Sequence, residues 1–361
     1  METACAGASL NVAPMSISPL APLLLCGYYG EHNLGDDALL EVLLAQLGAD
    51  AAVVVTAHDQ PLVQQRFGVA TVDRRSLRAV LAALGQCRGL VLGGGSLLQD
   101  ATSFKSLVYY GVLIVAARLQ GKPVVLWGQG LGPLRRRRSR LLVRGLLPLM
   151  SAVRWRDQAS AQLAAALGRP GNHGADPVWA STALPWRGRG GPIVVCLRPT
   201  PMLNGAAWTP YLQALAALAD ANEREVIWLP FHQDQDTTLL PSLMAEGLVP
   251  PSLLARSRQI SATTPREASA VFTTAGLVVA MRLHGLILAA VAGAPVAALS
   301  YDPKVAAAAA DLGCPLQRLD QTATVEGLLT AWQGQLDRPA APDRCETLRH
   351  SAASHASVLS V

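Results

Sequence analysis

The sequence predicts an α/β protein of two similar halves, each a parallel sheet with helices on both faces, facing one another across a cleft. Three observations carry this. Short β-like apolar runs alternate with longer helical segments along the chain. Apolar residues make up 51% and charged residues 15%, a balance suited to strands buried on both faces. The alternation breaks once, at PWRGRGGP (Pro185–Pro192), and then restarts.

In the first half the expected strands are Leu23–Cys26, Ala52–Thr56, Gly89–Leu92, Val124–Trp127 and Ala152–Trp155. The helices between and after them are Asp37–Leu47, Ser76–Leu84, Phe104–Leu119 and Ala159–Leu167. In the second half the strands are Ile193–Leu197, Val226–Leu229, Leu277–Ala280 and Val296–Leu299, with helices including Ala206–Ala221 and Leu286–Ala292. The boundaries that follow are an N-terminal extension over 1–20, a first domain over 21–184, a linker over 185–192, a second domain over 193–338 and a flexible tail over 339–361. A chain of 361 residues has the length for two such domains.

A net charge of +5 and a pI near 9.0 favour anionic partners. Aromatics are only 5%, and no strip of aromatic and basic residues of the kind that stacks bases is present, so nucleic acid is not expected. The six cysteines are scattered without a CxxC pair, which suggests neither zinc nor a disulfide framework. The segment Met1–Leu20 lacks the basic start and apolar core of a signal peptide. The longest strongly apolar run, Leu107–Ala117, is far short of the ~20 residues a membrane span needs. A cytoplasmic location is expected.

Ligands of open parallel sheets bind beyond the carboxyl ends of the strands. Three glycine-rich loops fall there in the first half: Gly27–Asp37, with Gly30, Asn33, Gly35 and Asp36; Gly93–Ser96, with Gly94 and Gly95; and Gly128–Pro133, with Gln129. Neither the dinucleotide fingerprint nor a Walker A loop is present. Tight turns are the structural alternative. Basic residues follow other strands: Arg156, Arg198, Arg282 with His284, and Lys304. Several cations and one histidine suit a small substrate bearing both phosphate and carboxylate. A further loop, Pro230–Asp236, follows a strand and carries the carboxylates Asp234 and Asp236.

At these residues the sequence resembles the polysaccharide pyruvyltransferase family, especially its CsaB-like branch. Four stretches carry the likeness in order: GYYGEHNLGDDALL (Gly27–Leu40), LGGGSLLQD (Leu92–Asp100), RWRDQAS (Arg154–Ser160) and MRLHGLILAAVAGAPVAALSYDPK (Met281–Lys304). The resemblance implies two Rossmann-like domains in a GT-B-like arrangement and no obligatory metal or cofactor. The second domain would take phosphoenolpyruvate as co-substrate and the first the acceptor. By that likeness His284, Arg282 and Lys304 are catalytic. Arg156 and Arg198 bind phosphoenolpyruvate, and the glycine loops with Asp234 and Asp236 meet the acceptor.

Making a ketal requires protonation of the methylene carbon of phosphoenolpyruvate, a task suited to a histidine acid, here His284. Arginine forks hold carboxylate and phosphate bidentately. The implied acceptor is a lipid-linked or nucleotide-linked saccharide of a cell-wall or exported polysaccharide. The run Arg135–Arg140 is expected either to rest on an anionic membrane, the inner face of the plasma membrane, or to be a solvated basic helix start. The competing reading is a glycosyltransferase of the same architecture using a nucleotide sugar.

Overall fold

The computed structural model describes residues 21–101 and 103–360, so the expected extension over 1–20 lies outside the described residues. The first half contributes β1 (Leu23–Tyr29), β2 (Val53–Ala57), β3 (Ala70–Asp73), β4 (Gly89–Gly93), β5 (Val124–Gln129) and β6 (Ala152–Trp155). Between and after them run α1 (Leu34–Leu47), α2 (Gln60–Phe67), α3 (Leu77–Gln86), α4 (Phe104–Leu119), α5 (Arg137–Leu146) and α6 (Gln158–Ala166). The second half contributes β7 (Ile193–Cys196), β8 (Val226–Trp228), β9 (Ser257–Gln259), β10 (Leu277–Ala280), β11 (Val296–Ser300) and β12 (Leu316–Arg318). Its helices are α7 (Thr209–Ala221), α8 (Gln233–Asp236), α9 (Leu239–Ala245), α10 (Pro251–Arg256), α11 (Pro265–Phe272), α12 (Leu283–Val291), α13 (Pro303–Leu312) and α14 (Val325–Gln335). The chain closes with α15 (Pro342–Ala353).

Each half forms one six-stranded parallel sheet, ordered β3-β2-β1-β4-β5-β6 and β12-β11-β10-β7-β8-β9. The central strands are apolar without alternation because helices cover both faces: Leu23–Leu25, Leu90–Leu92 and Val124–Leu126 are all essentially inaccessible. Side-chain caps set many helix starts, with Asn33, Ser76, Ser103, Asp157 and Asp302 each accepting a bond from a backbone N–H of the first turn.

The two halves share a core. Leu34, Ala38 and Trp179 of the first pack in one cluster with Phe231, Phe272 and Leu286 of the second. Backbone bonds also cross: Leu34 N–H donates to Phe231 O (3.0 Å) and Gln233 N–H to His32 O (3.0 Å). Two loops singled out in the sequence therefore meet each other. The Pro185–Pro192 stretch lies against the second half, where Trp186 Nε1 donates to Ala275 O at 2.8 Å.

The tail is not frayed. Residues 342–353 form α15, and a 3₁₀ turn follows over Ser354–Val358. This segment returns to the first half, where Ala175 N–H donates to Ser351 Oγ (3.0 Å) and the inaccessible His355 ring bonds Ala175 O (2.7 Å). His355 also stands edge-on to Trp127. The stretch is polar on average, but it places Ala352, His355 and Leu359 on one buried side, which a composition average hides.

Candidate functional site

Both sheets present their carboxyl edges to the space between them. On the first edge, β1 leads into the Asn33–Asp36 loop, β4 into Gly94–Ser96, β5 into Gly130 and β6 into Arg156. On the second, the adjacent strands β11, β10, β7 and β8 lead into Lys304, Arg282 with His284, Arg198, and His232–Asp236.

The two edges meet at Ser96. Its hydroxyl accepts from Arg156 Nη2 (3.1 Å) of the first half and from Lys304 Nζ (3.0 Å) of the second. Gly130 permits this, since a Cβ there would stand 2.3 Å from Ser96 Oγ and 2.5 Å from Arg156 Nη2. Burial lowers the Lys304 pKa to about 8, and the neighbouring Arg156 guanidinium adds to the effect. A cavity of about 540 Å³ opens against Arg156, Asp176 and Lys304, and Leu348 and Ser351 of α15 form part of its wall.

His284 occupies the first turn of α12. Its Nδ1 lies over Gly35 in the first turn of α1, so closely that a Cβ on Gly35 would stand 2.0 Å away. Its Nε2 lies 3.5 Å from Asp176 Oδ2, and Arg156 Nη1 lies 3.6 Å from the same oxygen. His284 Nε2 and Asp176 Oδ2 are both buried and face each other as a long ion pair, with no shorter partner for either among the described residues. Burial alone would raise the Asp176 carboxyl, but His284 and Arg156 outweigh it and hold the pKa down at about 2. Asp36 behaves oppositely: burial lifts it to about 6 against the pull of His284. The first turns of α1, α6, α12 and α13 carry or adjoin Gly35, Arg156, His284 and Lys304, and their dipoles add positive potential for an anion.

Arg282 and Arg198 form a second cluster. Arg282 Nε donates to Asp236 Oδ2 (2.9 Å) and Nη2 bonds both Asp236 Oδ1 and Gln235 Oε1. Arg198 Nη1 donates to the Tyr301 hydroxyl (2.9 Å), on the loop that leads into α13 and Lys304. This corrects the sequence reading of Asp236. Its carboxylate is inaccessible, pairs with Arg282 and accepts from Phe231 and His232 N–H, so it braces the arginine and is not free to meet an acceptor. Asp234 is exposed.

Other expected acceptor residues also have structural work. Gln129 is inaccessible; it donates to Gly94 O and accepts from Leu97 N–H (3.3 Å), pinning the β4 loop. Gly30 makes the turn whose carbonyl accepts from Asp59 N–H (3.1 Å). Asn33 caps α1, and its amide donates to Asp36 Oδ2 at 2.6 Å. Gly94 backs onto Leu39, whereas Gly95 faces Asp36. Sequence reasoning missed Ser96 and Asp176. Ser96 ends a glycine run already noticed, and Asp176 precedes Pro177 as a helix cap, but only tertiary packing brings either to the basic cluster.

Fold and site define a two-domain α/β protein with a cationic cleft between facing sheet edges. The family model for polysaccharide pyruvyl transferase matches residues 33–303, and the chain belongs to that family. No curated protein matches the chain. Among solved structures it is similar to the UDP-GlcNAc 2-epimerase of Methanocaldococcus jannaschii (10% identity, TM-score 0.62, 93% of this chain and 99% of that one). The UDP-N-acetylglucosamine 2-epimerase of Rickettsia bellii is similar too (11% identity, TM-score 0.58, 93% and 94%). So is the spinosyn rhamnosyltransferase SpnG, solved with thymidine diphosphate (15% identity, TM-score 0.54, 94% and 98%). At these identities the likeness shows a common GT-B-like fold alone.

Proposed function

We propose that this family member transfers the enolpyruvyl unit of phosphoenolpyruvate to two hydroxyls of one sugar, forming a pyruvate ketal and releasing phosphate. The observation that supports it is the convergence of Arg156 and Lys304 on Ser96, beside a histidine whose Nε2 faces the Asp176 carboxylate at 3.5 Å. Arg156 and Lys304 hold the phosphate, and Arg282 and Arg198 serve the carboxylate. His284 gives a proton to the methylene carbon, leaving positive charge on the neighbouring carbon. One sugar hydroxyl adds there and loses its proton. The C–O bond to phosphate then breaks, with Lys304 stabilising the departing charge. The second hydroxyl adds to the same carbon and closes the ring. One of the two hydroxyl protons balances the proton given to carbon, and the other leaves with phosphate.

Asp36, with its raised pKa and its place beside Gly95, is a candidate base for an acceptor hydroxyl. The acceptor in this reading is a lipid-linked or nucleotide-linked saccharide of a cell-wall or exported polysaccharide, met in the cytoplasm. The test is phosphate release from phosphoenolpyruvate with and without a panel of such saccharides, comparing wild type with His284→Ala. Acceptor-dependent release that vanishes in the variant supports the reading. Turnover of a UDP-sugar with phosphoenolpyruvate inert would transfer it to the glycosyltransferase class.

A further inference from the structure

From Ala101 to Arg156 the chain carries eleven lysines and arginines and no aspartate or glutamate, although its net charge is only +5. The fold sends most of these cations to one outer face. Arg137, Arg138, Arg140 and Arg144 stand exposed on α5, with Lys105 and Arg118 exposed on α4. Between them lies apolar surface that the arginine run alone did not reveal. Val108, Val112, Val115 and Leu119 recur on one side of α4 and are 38%, 37%, 40% and 83% exposed, and Leu141 on α5 is 68% exposed. These five are half of the ten large hydrophobic residues exposed among the described residues. Leu142 and Leu146 pack α5 against Gly111 of α4, which leaves Leu141 outward beside the valine stripe.

The face is anchored, and both of its helices start from loops of the cleft edge. The inaccessible Asp100 accepts from the backbone N–H of Arg135 (2.8 Å) and Arg136 (2.9 Å), and Arg138 lies over the Phe104 ring at 4.1 Å. Helix α4 follows the loop holding Ser96, and α5 follows the loop holding Gly130.

We infer that the α4–α5 face docks on an anionic lipid bilayer, its arginines among the headgroups and its valine and leucine stripe at the acyl boundary. Cations flanking an apolar helical stripe are what such an interface requires. Nucleic acid would use the charges and leave the stripe exposed, and the face offers no aromatic platform for bases. A second copy would oppose like charges across a symmetric contact. Docking this way brings the cleft mouth to the bilayer, where the saccharide of a lipid-linked acceptor would be found. That last consequence rests on the acceptor reading above, whereas the docking itself does not.

The test is co-sedimentation of the full chain with vesicles of phosphatidylcholine alone or mixed with phosphatidylglycerol. Binding is expected only to the mixed vesicles. It should weaken roughly tenfold or more in Arg137→Glu/Arg140→Glu, two headgroup contacts being lost and reversed. Val112→Ser/Val115→Ser should bind less at every salt concentration, and phosphate release with a soluble saccharide should be unchanged in both variants. No sedimentation at low salt, binding indifferent to both variants, or the same face used for DNA or for self-association would overturn the inference. Vesicle binding without transfer to any saccharide would leave the docking face standing and remove the acceptor reading.

Discussion

Asp176 Oδ2 lies 3.5 Å from His284 Nε2, and this pair joins the two halves of the molecule at the cleft. The carboxylate comes from the segment after α6 and the imidazole from the start of α12. An ionised carboxylate at that distance orients the ring that, in the proposed reaction, delivers a proton to carbon. Asp176→Asn should therefore reduce kcat about a hundredfold while the KM for phosphoenolpyruvate changes far less. With its pKa at about 2, Asp176 stays ionised across the working range. Its stabilising contribution is present above the ordinary carboxylate range and is lost only as pH falls through about 2. An Asn variant with unchanged kcat would remove Asp176 from the chemistry.

Gly35 is held to glycine by His284, since any Cβ would overlap the ring at 2.0 Å from Nδ1. Gly35→Ala should push the imidazole off its position and cut kcat by roughly tenfold or more. The stability cost of such overpacking is about 1–3 kcal/mol. Thermal unfolding and steady-state kinetics on the same variant check the two parts. Full activity would show that the ring's position over α1 is immaterial.

In the proposed reaction Lys304 links pH to donor binding. In the free protein it loses its proton near pH 8, and a phosphate favours the protonated form, so binding takes up a proton there. Affinity for phosphoenolpyruvate should accordingly fall as pH rises beyond about 8. Lys304→Arg, which keeps its charge, should lose that alkaline decline. Calorimetry in buffers of different ionisation heat measures the proton uptake directly, and its absence would mean that Lys304 does not hold the phosphate.

His355 makes the C-terminal strap sensitive to acid. Burial lowers its pKa to about 4, so the folded protein keeps it neutral while an unfolded chain binds a proton at ordinary histidine pH. Its contribution to stability is thus complete above about pH 6.5 and is lost progressively as pH falls toward 4. The same strap contacts Ala175, next to Asp176. His355→Phe should flatten the fall in melting temperature over that window, and an unaltered pH dependence would contradict the assignment.

The regular strands of the fold were legible because β1, β4, β5, β7, β10 and β11 each carry a continuous apolar stretch, as burial on both faces demands. Of the four edge strands, β6 was legible and the other three were not. β3 (ATVD), β9 (SRQ) and β12 (LQR) are short and polar and become strands only by pairing with a neighbour. The position of each basic residue just beyond a strand was likewise visible. Partnerships were not: nothing in QDQD says that its last aspartate is buried against Arg282. Nor does Gln129, set among glycines, announce that it is a strut inside the sheet edge. The tail failed for a related reason, because its buried side is small and discontinuous in sequence.

The central claim is a proton given to carbon and a ketal left on sugar. The most direct test is the reaction run in heavy water with phosphoenolpyruvate and an accepted saccharide, followed by mass spectrometry of the saccharide product. The account predicts a saccharide bearing a ketal-linked pyruvate with one solvent deuterium in its methyl group, and no such product from His284→Ala. Phosphate released with the saccharide unmodified, or a ketal formed at the wild-type rate without His284, would contradict it.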